Sequence, residues 1–267
     1  MRSFDTAVPV EARAICAEFQ GRQVLRDVSL SVGRREIFAI IGPSGSGKTT
    51  LLRHLLGLAR PRQGSAFVFG HPVAELSRHE LAGLRRRIGV AFQGGALLNS
   101  LSVVQNIELP LKQHTRLDAA TIRIMTHIKL ELLGLLDIDA LMPAQLSGGM
   151  LKRASLARAV IMDPELLFVD EPSSGLDPVN AAALDDLLVE LRDSLGMTIV
   201  VITHAMETAL NIADKILLLD SGEVVTVGSP TELLQSRDAR VQSMLQRRPV
   251  RAGSAADDYL NRLTAGT

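Results

Sequence analysis

The chain holds a single cysteine, Cys16, among 267 residues, so no internal disulfide can form and a reducing compartment is expected. A lone thiol reads first as a small, partly buried hydrophobe. Charge of one sign is not in excess: 29 basic residues balance 29 acidic ones. A polyanion would find no bulk attraction, so no nucleic-acid partner is expected. Long apolar runs are missing as well. The runs that occur, such as 166–169 and 199–202, are strand-sized and far short of the roughly 20 residues that a spanning helix needs. The first residues carry Asp5 and Glu11 and no apolar signal core, so no leader is expected. A membrane role would then come through a partner. There is no internal repeat and no long heptad run. The one linker-like stretch, 249–256, is rich in Pro, Gly, Ser and Ala.

What is present is a chain that is 46% hydrophobic, enough for a large core in one or two compact units. Residues 24–32 alternate in part and predict a strand, and 36–41 predict a buried strand ending at Gly42. A helix is expected over 48–58, with Leu51, Leu52, Leu55 and Leu56 at helical spacing and Gly57 near its end. Another is expected over 118–133, capped by Asp118, lined on one face by Ile124, Ile128 and Leu132, and ended by Gly134. Further strands fall at 166–170 and 198–203, and 215–227 predict a hairpin turning at Ser221 and Gly222. Ser229, Pro230, Thr231 and Glu232 form a capping box that opens a helix. Short buried strands alternating with helices argue for a parallel α/β sheet.

Between the strand at 36–41 and the helix from Lys48 runs Gly42, Pro43, Ser44, Gly45, Ser46, Gly47, Lys48, Thr49, which matches G-x-x-x-x-G-K-S/T; Thr50 extends it. Glycines let successive N–H groups turn inward onto phosphate oxygens, and the helix N-terminus adds partial positive charge. Lys48 can bridge the β- and γ-phosphates of ATP, and the Thr49 hydroxyl can ligate Mg²⁺. The bland alternative is a flexible Gly/Ser loop with an incidental lysine. Asp170 and Glu171 end a buried strand, where open α/β sheets bind ligands. Asp170 suits a Mg²⁺ role, and Glu171 suits a general base taking a proton from attacking water. Alone, the pair would read as two solvated acids.

These pieces together resemble the ABC ATPase family over nearly all of residues 12–235. Leu146, Ser147, Gly148, Gly149 and Met150 are similar to its signature loop. Gln93 is similar to its Q-loop glutamine, Ser174 to Asp177 to its D-loop, and His204 to its switch histidine. All lie in family order. The resemblance implies a P-loop NTPase with a RecA-like core, an antiparallel β subdomain and a helical insert of about 94–160. The ATP-binding domain would then cover 1–236, with 237–267 as a tail. It also implies a homodimer in which the signature loop of one subunit closes over the γ-phosphate held by the other. In that arrangement His204 reaches the γ-phosphate, Gln93 senses Mg²⁺ and water while linking to transmembrane permease subunits, and Asp177 joins the nucleotide site. Ser147 and the backbone of Gly148 and Gly149 offer donors, with a helix expected from about Leu151. Taken alone, the glycine pair would read as an ordinary turn. Phe19 either stacks on adenine, where the family usually places a Tyr, or packs in the core.

A narrower likeness lies in Met150, where the signature usually has Gln, and in 92–97, 109–115, 141–145 and 238–242. These resemble the ATPases of Mla-type phospholipid transport systems of Gram-negative bacteria. That implies a permease, an MCE-domain protein, a small STAS-domain protein, and a place on the cytoplasmic face of the inner membrane, peripheral through the permease. The rivals are another ABC importer or exporter, a soluble ABC ATPase, and a non-hydrolysing module. The last would lack Glu171 or His204, and both are present. Leu97, Leu98, Leu101, Val103 and Val104 either receive a permease helix or pack the insert. In the tail, Val241, Met244 and Leu245 predict a short helix. Tyr259, Leu260 and Leu263 either dock on a neighbour, such as the second ATPase subunit, or stay solvated.

Overall fold

The computed structural model describes residues 8–246. The chain opens with two long antiparallel strands, β1 (Val10–Phe19) and β2 (Arg22–Val32). It then enters β3 (Ile37–Ile41), whose five residues are all buried, and passes through the glycine-rich loop into α1 (Lys48–Leu55). β4 (Gln63–Val68) and β5 (His71–Pro72) complete a four-stranded sheet in the order β2-β1-β4-β5. α2 (Arg78–Arg85) leads to β6 (Ile88–Ala91). Three helices follow, α3 (Val103–His114), α4 (Ala119–Leu132) and α5 (Gly148–Val160). β7 (Leu166–Asp170), α6 (Pro178–Leu195), β8 (Thr198–Thr203) and α7 (Met206–Ile212) come next. The hairpin β9 (Lys215–Asp220) and β10 (Glu223–Gly228) then leads into α8 (Pro230–Gln235) and α9 (Ala239–Leu245).

The second sheet runs β10-β9-β3-β8-β7-β6, parallel except for the edge strand β10. Its central strands β3, β7 and β8 are apolar throughout their interiors, with Thr198, Thr203 and Asp170 only at strand ends, because both faces are covered. The two-residue repeat of a strand divides them between two cores. Ile37, Ala39, Ile41, Leu167, Val169, Ile199 and Val201 face the core built with α3 to α7. Phe38, Ile40, Leu166, Phe168, Val200 and Ile202 face α1 and the four-stranded sheet. Phe38 and Phe168 are fully buried, each contributing roughly 1.5–3 kcal/mol before ordering costs.

Several expectations change in detail. The helix expected over 48–58 stops at Leu55, with Gly57 at φ 62° just beyond it. Asp118 caps α4 through the N–H groups of Ala120 and Thr121, and Gly134 turns left-handed after it. The buried face of α4 is not the one expected. Ile124 and Ile128 are exposed and only Leu132 of the expected face packs against the core, while Ile122, Thr126, Lys129 and Leu130 point inward. α4 is apolar on more than one side. The polar members of the inward face are satisfied there: Thr126 donates to the Ile122 carbonyl, and Lys129 pairs with Asp163. The helix expected from about Leu151 begins sooner, at Gly148, because Ser147 is its N-cap and accepts from the Met150 N–H. The short helix at the start of the tail is α9, with Val241 buried. The docking expected of Tyr259, Leu260 and Leu263 lies outside the described residues.

Candidate functional site

β3, β8, β7 and β6 are parallel neighbours in that order, and their registers align Ile41 with Thr203, Ile202 with Asp170, and Val169 with Ala91. Their C-terminal ends therefore form one edge. The glycine-rich loop leaves β3 there, His204 follows β8, Asp170 and Glu171 finish β7, and Gln93 follows β6. This is the edge where parallel sheets bind ligands.

The loop is shaped by close approach. A Cβ on Gly42 would lie 2.0 Å from the Leu219 carbonyl oxygen. Gly47 has φ 106° and a Cβ there would meet Leu25 Cδ2 at 2.7 Å. Lys48 begins α1 and folds back over the loop, donating to the carbonyls of Gly42 at 2.8 Å and Pro43 at 3.0 Å. Burial pulls its pKa down, while the carboxylates of Glu171 and Asp170 hold it up. Ser46 Oγ is buried with no hydrogen-bond partner. Pro43, Ser44, Gly45 and Thr49 are exposed and Thr50 is half-buried. A buried ammonium, an uncommitted hydroxyl and a helix N-terminus suit a polyphosphate.

Opposite this loop, Glu171 is buried at φ 51° with its N–H bonded to the Ile202 carbonyl at 2.7 Å. Its carboxylate accepts from Thr203 Oγ1 at 3.2 Å and meets His204 Nδ1 at 2.9 Å, so the two side chains touch. Burial pushes the Asp170 carboxyl up, and the Glu171 charge adds to that, while Lys152 and Lys48 oppose it. No group of three His, Cys, Asp or Glu among the described residues is placed to hold a metal. Asp170 and the exposed Thr49 offer hard oxygen donors, which fits a Mg²⁺ that takes its other ligands from phosphate and water.

Gly148 and Gly149 sit against Leu176 and Asn180 of their own chain. A Cβ on Gly148 would meet Leu176 Cδ2 at 3.7 Å, and one on Gly149 would meet Asn180 Oδ1 at 3.4 Å. Asp177 caps α6, accepting from the N–H groups of Val179 and Asn180 and the Asn180 side chain. Gln93 is exposed, and its backbone carbonyl is held by Lys152 at 2.7 Å. Phe19 is 61% exposed at the end of β1, beside Thr50, Arg53, His54 and Arg62, so the core alternative does not hold. Sequence reasoning missed Lys152. It follows the signature by helical spacing alone, and only the packing of α5 under β6 and β7 brings its ammonium to the site.

The family model for ABC transporters matches residues 25–174, and the loop, acids and histidine that it would need are on one edge. The chain belongs to the ABC transporter family. This ABC subunit is an ATPase, with the mixed α/β architecture expected of a P-loop cassette. It is 38% identical to the Haemophilus influenzae MlaF, described as an intermembrane phospholipid transport system ATP-binding protein, over 95% of this chain and 97% of that one. It is 39% identical to Escherichia coli K12 MlaF over 88% of each. It is 36% identical to Mycobacterium leprae mkl, described as a probable ribonucleotide transport ATP-binding protein, over 91% of this chain and 70% of that one. Among solved structures it resembles a dimeric ATP-binding cassette in a post-hydrolysis state with ADP and Pi, at TM-score 0.77 and 30% identity, over 83% of this chain and 98% of that one. It also resembles cbiO1 from Clostridium perfringens at TM-score 0.79 and 27% identity, over 90% and 95%.

Proposed function

We propose that this ABC ATPase powers the movement of phospholipid between inner and outer membranes, as one half of a homodimer bound to permease subunits. The observation that carries the substrate class is the 38% identity to a phospholipid-transport subunit across 95% of this chain and 97% of that protein. An MCE-domain protein and a small STAS-domain protein complete the assembly. Among the described residues no helix is long and apolar enough to cross a membrane. In this reading contact with the cytoplasmic face of the inner membrane runs through the permease.

In this reading residues 42–50 hold the triphosphate, with Phe19 on the adenine. Thr49, Asp170 and Gln93 attend the Mg²⁺. Glu171 takes the proton from water, and His204, already hydrogen-bonded to it, contacts the γ-phosphate. Ser147, Gly148 and Gly149 of one subunit, with Asp177, complete the site of the other. The domain would span 1–236, with its helical part at about 94–160.

The test is to purify the chain with its membrane partners and identify what comes with them. Bound phospholipid, and ATP turnover that rises when phospholipid is supplied, is the expected result. The likeness to the mycobacterial protein favours a second reading, ribonucleotide transport. Turnover raised by ribonucleotides other than ATP and indifferent to lipid would replace the first reading with the second.

A further inference from the structure

The structure assigns a part in the ATPase site to Lys152, which none of the motifs contains. Lys152 lies in the opening turns of α5, directly behind the signature loop. Its ammonium donates to two backbone carbonyls that follow different strands of the sheet: Gln93 at 2.7 Å, after β6, and Glu171 at 2.8 Å, after β7. Neither carbonyl belongs to the ladder, because β6 ends at Ala91 and β7 at Asp170. The Glu171 N–H is bonded to Ile202 on the other side. Both backbone groups of Glu171 are thus held from outside its own strand, in a left-handed conformation at φ 51° that a non-glycine residue adopts only when its surroundings enforce it.

The same helix holds the rest of the loop after β6. Arg158 donates to the carbonyls of Ala96 at 2.7 Å and Gly95 at 3.3 Å. α5 therefore grips the Gln93 loop at two places and the Glu171 turn at one, and its N-terminus carries Ser147 to Gly149. Burial pulls the Lys152 pKa down, and the nearby Glu171 and Asp170 carboxylates hold it up. A half-buried cation in this place serves two purposes. It satisfies the part-buried carbonyl of Glu171 and ties it to the exposed carbonyl of Gln93, and it lends positive charge to the acids that face the phosphate loop.

We propose that Lys152 is a positioning residue for hydrolysis. It fixes the backbone of Glu171, and so the direction of its carboxylate, and it locks that turn to Gln93 and to the helix bearing the signature. A movement of Gln93 or Glu171 on nucleotide entry would then move the N-terminus of α5, which faces the second subunit. The inference rests on the reading of Glu171 as the base.

Lys152→Met keeps the length of the side chain and removes every donor, and Lys152→Arg restores donors in a different fork. In the full chain, Lys152→Met should lower kcat by about tenfold or more and leave KM for ATP within about threefold. ATP affinity measured in a Glu171→Gln background should change by less than about threefold on adding Lys152→Met. Lys152→Arg should recover at least about a third of the parent kcat. A Lys152→Met kcat within about twofold of the parent would overturn the proposal. So would an arginine variant no better than methionine, or a loss of kcat accompanied by a comparable rise in KM and a lowered thermal midpoint, which marks a purely structural strut. Glu171→Gln run alongside separates the two readings. If it turns over ATP normally, the base assignment is wrong whatever Lys152 does; if it is inactive while Lys152→Met is normal, only the Lys152 proposal fails.

Discussion

Glu171 and Asp170 are adjacent acids whose surroundings give them different work. Asp170 is half-buried with two lysines opposing its burial, and Glu171 is buried with Thr203 and His204 on its carboxylate. Glu171→Gln keeps the shape and the Thr203 contact and loses the proton acceptor. ATP binding should survive, and turnover should fall by roughly 10²–10⁴ in a steady-state phosphate-release assay. Asp185, on α6, has no part in that chemistry but carries a cost. Burial pushes its pKa up to about 6, the Asp186 and Glu207 charges add, and its hydrogen bond with Thr208 opposes. One of its carboxylate oxygens has no partner. The folded state holds this proton more tightly than the unfolded chain, so stability from Asp185 is greatest below its ordinary pKa. It falls as pH rises toward about 6 and is flat above that. Asp185→Asn should remove that pH dependence and stabilise the fold at pH 7 by about 1–3 kcal/mol, read from urea melts at pH 5 and pH 7.5. The opposite sign at pH 7 would mean that the charge is satisfied in the folded state.

At the scale of elements, α5 shows how a cap sets a boundary. Ser147 fixes the first turn, so Gly148 and Gly149 are helical residues with their N–H groups at the positive end. Their smallness serves approach from outside and packing on α6. Gly149→Asp would put a carboxylate beside Asn180, itself bonded to Asp177, and against an incoming γ-phosphate. ATP binding in each subunit should persist and hydrolysis should stop. Mixed with Lys48→Ala subunits, it should recover part of the activity, because one site of a head-to-tail pair keeps both intact parts. Activity that tracks only the fraction of wholly unaltered chains would count against sites shared between subunits. The α2 and α3 helices were not anticipated, although their capping boxes, Ser77 with Glu80 and Ser102 with Gln105, are plain in the sequence. Pro110 lies inside α3, where a proline is unfavourable. β1 was hidden by its alternating charges and by the register shifts that bulge it against β2 and β4.

At the scale of the whole molecule, the surface offered to a permease is smaller than the sequence suggests. Val103 is fully buried, and Leu97, Leu101 and Val104 are half-buried in the helical part, so packing claims much of the run. Leu98 remains 46% exposed. Its backbone is pinned at both ends by buried Asn106, which accepts from the Leu98 N–H at 2.7 Å and donates to the Leu98 carbonyl at 3.0 Å. A presented leucine on a fixed loop suits a helix docking beside Gln93. Leu98→Glu should leave nucleotide binding unchanged and lower the yield of permease in co-purification; an equal yield would give the whole run to internal packing. Deleting 249–267, outside the described residues, should leave the fold and ATP binding intact and weaken the dimer or the recruitment of the small partner. Sedimentation and complex yield equal to those of the full chain would show that the stretch is dispensable.

The phosphate loop, the paired acids, the strands on either side and the helix caps were determined by sequence, because each depends on residue types at short spacing: glycines at a tight turn, a lysine at a helix start, a carboxylate at the end of an apolar run. Strands at 166–170 and 198–203 were legible because burial on both faces leaves no polar residue inside them. Which face of α4 turns inward was decided by tertiary structure, since an apolar helix offers several and Lys129 had to meet Asp163. The order β3-β8-β7-β6 was decided there too, and with it the gathering of four loops on one edge. So was the place of Lys152, whose two carbonyl partners lie far from it along the chain and meet it only because α5 packs beneath both loops.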